Sequence, residues 1–280
     1  MGGTGLMERA DDVAPTDAAR HLRARFARLD AAVREDAYLV DVGHRFASHA
    51  FLRRGTLAVY LRQVDFLADA LPPYLGRPAS AIDVLDWGCG KGHISYLLRK
   101  AGFRVTSADV ADGGDDSAFQ QAAPILREQG IEPVALRHPV ELPFGQGSFD
   151  CVTSFGVLEH VPQDLASLRE IRRVLRPQGL LYVSFLPYHT SWTQALARLR
   201  GDDYHDRLYS FGGVRRLAHA AGFEVLGIHL GQLLPKNPTP RHLSPVLEPI
   251  DQFLCRFTPL AFLATNLEVL LRPLAKPATP

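Results

Sequence analysis

Apolar positions along the chain follow two periods, and the change from one to the other divides it. From Asp17 to Leu75 the period is helical: Leu22, Phe26 and Leu29 recur at steps of four and three, and Leu57, Tyr60, Leu61, Val64, Leu67, Ala68 and Leu71 share one face, with Phe66 off it. Pro72-Pro73 is expected to break the second run, because proline removes a helical donor and crowds the preceding turn. Beyond residue 80, short apolar or β-branched runs alternate with helical stretches. Ile82 to Leu85, Arg104 to Asp109, Ser148 to Phe155, Leu180 to Phe185 and Phe223 to Leu230 read as strands. Between them, helices are predicted from Ile94 to Ala101, from Leu165 to Leu175 and from Ser210 to Ala221, the first and last ended by Gly102 and Gly222. Leu267, Val269 and Leu271 alternate with Asn266, Glu268 and Leu270, the period of a strand, which Pro273 stops; it is taken as an antiparallel final strand. Before it, Gly231 to Phe262 carries Pro235, Pro238, Pro240, Pro245 and Pro249 and a short apolar helix around Ile250 to Phe257. Leaving the carboxyl end of a parallel strand, this insertion should form a lid or floor over a ligand.

The most informative stretch is Asp86-Trp87-Gly88-Cys89-Gly90-Lys91-Gly92, between the first strand and the first helix of the alternating region. Glycine at every second position lets the backbone take φ > 0 and approach a bound molecule closely, and the helix offers its N-terminal amides. The spacing G-x-G-x-G differs from the dinucleotide pattern G-x-G-x-x-G. Asp86, two residues before the first glycine, would repel a pyrophosphate and suit a cation. Asp109, at the tip of the next strand, is placed to accept hydrogen bonds from both ribose hydroxyls. That geometry would serve NAD as well, so it supports a nucleoside site without choosing among cofactors.

Further along come Glu141-Leu142-Pro143-Phe144, the turn Gly145-Gln146-Gly147, then Ser148-Phe149-Asp150, Leu158-Glu159-His160-Val161 and Leu175-Arg176-Pro177-Gln178-Gly179. In this order, from about Asp83 to Phe185, the chain resembles the class I S-adenosylmethionine-dependent methyltransferases of the type-11-like kind. The resemblance implies an α/β fold: a Rossmann-like, doubly wound seven-stranded sheet with an antiparallel last strand, a helical N-terminal cap and an insertion before the last strand. It implies S-adenosyl-L-methionine as cofactor, with the glycine loop against its methionine part, the acid before the loop at its amino group, and Asp109 at the ribose. The expected cofactor contacts are Asp86, Trp87, Gly88, Cys89, Gly90, Gly92, Asp109, Val110, His138, Val140, Glu141, Phe155 and Val157. One position departs from the family: where an acid usually stands beside adenine, this chain has His138, followed by Pro139. Backbone groups around Val140 and Glu141 are then expected to hold adenine, with an altered cofactor site as the other reading.

The implied chemistry is in-line displacement at the sulfonium methyl by an acceptor nucleophile, with oxygen favoured over nitrogen or carbon. His160 follows the fourth strand and can titrate near neutral pH, so it is the leading base, the competing reading being that it fixes its loop. Tyr188 and His189 lie in the loop after the fifth strand and are candidates for acceptor contact, or simply cap that loop. Some quinone O-methyltransferases hold a divalent ion with an extra glutamate in this segment. The corresponding position here is Gly156, so no metal is expected.

Composition narrows the partners. Lys plus Arg, 31, nearly balance Asp plus Glu, 30, so no global field recruits nucleic acid. The three cysteines have no C-x-x-C spacing, and their odd count fits a reducing compartment. The first thirty residues hold no apolar run of signal-peptide length, and a cytoplasmic protein is expected. Phe253 to Leu274 is long enough to span a bilayer, but Arg256, Pro259, Glu268 and Arg272 interrupt it. A peripheral membrane contact or an apolar, lipid-linked acceptor stands beside the plainer reading of lid and core. The expected division is a disordered 1–16, a helical cap 17–80, a cofactor-binding core 81–230, an insertion 231–262, the final strand 263–273 and a flexible 274–280. The sequence leaves the acceptor and the oligomeric state open. A nucleotide-dependent oxidoreductase and a non-catalytic binding protein that keeps the fold are the alternatives.

Overall fold

Seven strands form one sheet in the order β3-β2-β1-β4-β5-β7-β6 in a computed structural model of the chain, which describes residues 15–28, 35–110, 123–138, 140–201 and 207–275. The strands are β1 (Asp83–Trp87), β2 (Arg104–Val110), β3 (Val134–Leu136), β4 (Phe149–Phe155), β5 (Leu175–Pro187), β6 (Phe223–Gly231) and β7 (Asn266–Pro273). β1 to β5 run parallel, and β7 lies antiparallel between β5 and β6, as expected for the final strand. Helices α1 (Pro15–Ala27), α2 (Ala37–Arg45), α3 (Thr56–Leu75) and α4 (His93–Lys100) precede or follow β1. Then come α5 (Pro124–Glu128), α6 (Asp164–Val174), α7 (Trp192–Leu199), α8 (Phe211–Ala220) and α9 (Ser244–Phe257). Residues 1–14 and 276–280, for which disorder and flexibility are expected, lie outside the described residues, as do Leu29 and Pro139.

Strand alternation builds a core on each face of the sheet. Val84, Cys151, Leu180 and Tyr182 face α1, α3 and α4, whereas Leu85, Val152, Leu181 and Val183 face α6 and α8. β1 has four of its five residues buried, Asp86 among them, as in a strand covered on both sides.

Two local expectations need correction. Pro72-Pro73 does not break α3, which continues to Leu75 and stops at Gly76 in the left-handed region at φ 64°. The pair falls in the last turn, and the residues four positions earlier, Ala68 and Asp69, lie on the less buried side of the helix. The helix of the insertion spans Ser244–Phe257 and so begins before the predicted Ile250, because Pro245 occupies its first turn, where an amide donor is dispensable. Along α3, Arg62 and Gln63 are as buried as Leu61 and Val64.

Those two polar residues join the cap to the rest. Arg62 pairs with Glu268 on β7 and with Glu248 on α9, the latter at 3.2 Å. Lys236 bridges Glu248 at 2.8 Å and Asp251 at 2.9 Å. Gln63 donates to Glu268 at 2.8 Å and to Ser184 at 2.6 Å, and Tyr182 donates to Glu268 at 3.2 Å. All these side chains are buried, so the burial cost of each charge is met only by its partners.

Candidate functional site

β1 ends in the glycine loop, and the loop's shape depends on two contacts that a β-carbon would prevent. Gly88, at φ 74°, lies against Val157, whose methyls a side chain there would overlap; Gly92, at φ 80°, lies equally close to Leu126. The amides of Gly88 and Cys89 both donate to the Ala108 carbonyl, at 2.8 and 3.0 Å, which anchors the loop to β2. The amide of Gly90 donates to Asp109 Oδ2 at 2.5 Å, and Asp109 Oδ1 accepts from the Val110 amide at 2.7 Å. The second-strand acid therefore stands over the loop with its carboxylate oriented by two amides. Val110 is exposed beside it, while Trp87 and Cys89 are buried underneath.

Asp86 is turned inward. It is buried, Ser95 Oγ donates to its Oδ2 at 2.6 Å and Thr153 Oγ1 to its Oδ1 at 3.2 Å, and Ser107 donates to Ser95 at 2.7 Å. Burial pushes its carboxyl up to about 6, held back by the two hydroxyls, with Asp109 adding repulsion. In this arrangement Asp86 ties β1, α4 and β4 together beneath the loop, where a direct partner for a ligand's amino group was expected.

His138 also differs from expectation. Its Nδ1 accepts from the amides of Val140 at 3.2 Å and Glu141 at 2.8 Å, so the backbone donors expected to hold adenine are spent on a turn. The imidazole performs the capping that an Asx side chain performs elsewhere.

Beside the loop, a cavity of about 760 Å³ opens between the cap, the ends of β4 and β5, α7 and the insertion. Phe51, Tyr60, Phe155 and Phe185 form an aromatic wall, with Tyr60 5.0 Å from Phe185 between ring centroids. Polar groups from α7 and the insertion, among them Gln194 and Asn237, line the other side. Phe185 at φ 61° and Gln232 at φ 64° are the non-glycine residues in the left-handed region among the described residues, and both line this cavity. Such conformations cost about 1–3 kcal/mol each and persist where the surroundings dictate them.

Tyr188 and His189 do not reach the cavity. β5 pairs with β7 on both sides of a bulge between Val183 and Leu186, Tyr188 donates its amide to Thr265 at 3.0 Å, and its buried ring packs edge-on to Phe211 at 5.7 Å. His189 is exposed and its amide donates to Tyr209. At this bulge the left-handed Phe185 presents a phenyl ring to the cavity, where the sequence suggested Tyr188.

His160 does line the cavity, with 59% of its side chain exposed, and its Nε2 stands 3.8 Å from Glu159 Oε1. Glu159 itself was not anticipated. It is buried in the cavity wall, its Oε2 has no hydrogen-bond partner among the described residues, and burial pushes its carboxyl up to about 7. The sequence carried one signal for it, its place beside His160 in Leu158-Glu159-His160-Val161. Tyr60, also unassigned from sequence, joins it in the wall. Among the described residues no group of three or more His, Cys, Asp or Glu side chains is arranged to hold a metal ion.

Comparison with known proteins fits this geometry. The family model of a methyltransferase domain matches residues 60–228. A ubiquinone biosynthesis O-methyltransferase of Xanthomonas campestris is 36% identical over 108 residues, covering 37% of this chain and 42% of that protein. The one of Caulobacter vibrioides is 32% identical over 155 residues, covering 55% and 56%. The chain thus spans about half the length of the curated relatives it matches. Among solved structures, a candidate sarcosine dimethylglycine methyltransferase from Galdieria sulphuraria aligns over 78% of this chain and 86% of its own, with a TM-score of 0.53 at 19% identity. A candidate histamine N-methyltransferase from Thermotoga maritima aligns over 84% and 93%, with a TM-score of 0.50 at 18% identity. At these identities the structural likeness is one of fold.

Proposed function

Because the chain belongs to the class I S-adenosylmethionine-dependent methyltransferases, we propose that it methylates an oxygen of a small, largely apolar acceptor, with Glu159 taking the acceptor's proton. When bound, S-adenosyl-L-methionine supplies an electrophilic methyl group to the acceptor nucleophile. The glycine loop and Asp109 are the proposed holders of the cofactor. The ledge that Gly88 and Gly92 keep clear of side chains, and the carboxylate set over it by the Gly90 and Val110 amides, support that assignment. The aromatic wall of Phe51, Tyr60, Phe155 and Phe185 receives the acceptor's apolar body and keeps water from it.

One observation carries the reading: a buried carboxyl, raised to about 7, stands in the wall of this cavity. A base poised near neutral pH can take a hydroxyl proton as the oxygen attacks. His160, more exposed and 3.8 Å away, then passes that proton to solvent. The relatives named for ubiquinone biosynthesis support oxygen as the methylated atom and a ring-bearing acceptor.

The test is formation of S-adenosylhomocysteine from S-adenosylmethionine with a panel of phenols, catechols and amines matched in size. Turnover with phenolic hydroxyls, lost in Glu159→Gln while cofactor binding persists, is the expected result. Turnover confined to amines, or unaffected by Glu159→Gln, would overturn the assignment.

A further inference from the structure

α9 is built inside out. Its buried face carries Ser244, Glu248, Asp251, Gln252 and Cys255, whereas Val246, Ile250, Phe253 and Phe257, at helical spacings of four, three and four, face outward with 45–63% exposure. The short turn that follows adds Leu260, Phe262 and Leu263 at 44–59% exposure. An ordinary surface helix has the reverse arrangement, and a soluble monomer rarely presents an apolar patch beyond roughly 300–600 Å².

The inversion is not an accident of loose packing. Glu248 and Asp251 are drawn inside by Lys236 and Arg62, so the helix is locked in the orientation that leaves its phenylalanines outside. We propose that this outward face of α9 and the turn after it seats the protein on a lipid bilayer.

The chemistry of the face favours acyl chains over another protein. Every exposed residue from Leu243 to Leu263 is apolar, and His242 at the edge is the exposed titratable group of the segment. Interfaces between folded proteins carry about one hydrogen bond per 100–200 Å², which these side chains cannot supply. The hydrocarbon boundary asks for none, and no exposed acid stands on the segment to repel phosphate headgroups. No helix among the described residues is long and apolar enough to cross a membrane, so the contact is a lying one. The same insertion contributes Leu234 to Pro238 to the cavity wall, which places the bilayer contact and the cavity on one structural unit.

Flotation of the full chain with vesicles of phosphatidylcholine and phosphatidylglycerol in equal parts tests this directly, independently of any methyl transfer. The wild-type protein is expected to float. Phe253→Glu/Phe257→Glu should bind at least about tenfold more weakly with an unchanged melting temperature, since both rings are already more than half exposed. Phe253→Trp should show a blue-shifted emission on adding vesicles and quenching by brominated acyl chains. A wild-type protein that stays in the aqueous layer, a double variant that floats like wild type, or a Phe253→Trp emission indifferent to lipid would each overturn the proposal. So would a dimer in sedimentation equilibrium that the double variant abolishes without any flotation, which would assign the face to a second copy of the chain.

Discussion

Arg62 on α3 and Glu268 on β7 hold each other in the protein interior across 206 positions of sequence. Burial alone would raise the Glu268 carboxyl, but Arg62 and Gln63 outweigh it and bring it down to about 2. Removing one partner leaves a buried charge without compensation, which costs about 3–5 kcal/mol. Arg62→Met is therefore expected to lower the urea midpoint sharply without a change in slope. Because the Glu268 carboxyl is depressed from 4.5 in the folded state, the stability it adds is present above about pH 4.5 and is lost as pH falls toward about 2. Acid unfolding should reveal that loss, and Glu268→Gln should flatten it.

Gly88 carries a second prediction. A methyl group there meets Val157 and must also accept φ 74°. Gly88→Ala should abolish thermal protection by S-adenosylhomocysteine. Val157→Ala in the same chain should restore part of it, since that removes the overlap and leaves the backbone strain. Equal loss in the single and double variants would show that strain alone decides the effect.

Asp109→Asn keeps an oxygen for one amide but discards the charge that faces the loop. Calorimetric titration with S-adenosylhomocysteine is expected to show a loss of at least about tenfold in affinity, consistent with a charged hydrogen bond worth about 1.5–3 kcal/mol. Asp86→Asn should act differently: beneath the loop it has two hydroxyl partners, so its first effect should be on stability. A larger loss of affinity in Asp86→Asn than in Asp109→Asn would reverse these roles.

These residues also mark how far the sequence could be read. Glycine spacing, the strand ending in Asp109 and the alternation that separates Val84 from Leu85 are local signals, and the sheet with its antiparallel β7 follows from them. Nothing in the sequence singles out Arg62 and Gln63, because their partners come from β7, α9 and β5, and no local period reports a distant counter-charge. The inward acids of α9 were hidden for the same reason. Tyr188 is expected at the cavity from its place in a loop after a strand ending at Phe185, but β5 runs on to Pro187 through a bulge, and the left-handed Phe185, which no glycine announces, turns its ring to the cavity instead. His138 was read by what it lacks, an acid, whereas its Nδ1 binds the very amides that were expected to compensate.

The pH dependence of Glu159 offers the most discriminating measurement. Its carboxyl is raised from 4.5 to about 7, so the folded state keeps a proton that the unfolded chain releases. Between about pH 4.5 and 7 its contribution therefore lowers stability as pH rises, the opposite sign to Glu268, and above about 7 the loss is complete. Activity should move the other way, because only the ionised carboxylate can accept a proton: turnover should climb with pH through a limb near 7 and then level off. Glu159→Gln should erase both the stability slope and the turnover limb, whereas His160→Ala should keep the limb and lower its plateau. A limb near 7 that survives Glu159→Gln and disappears in His160→Ala would return the base to the imidazole.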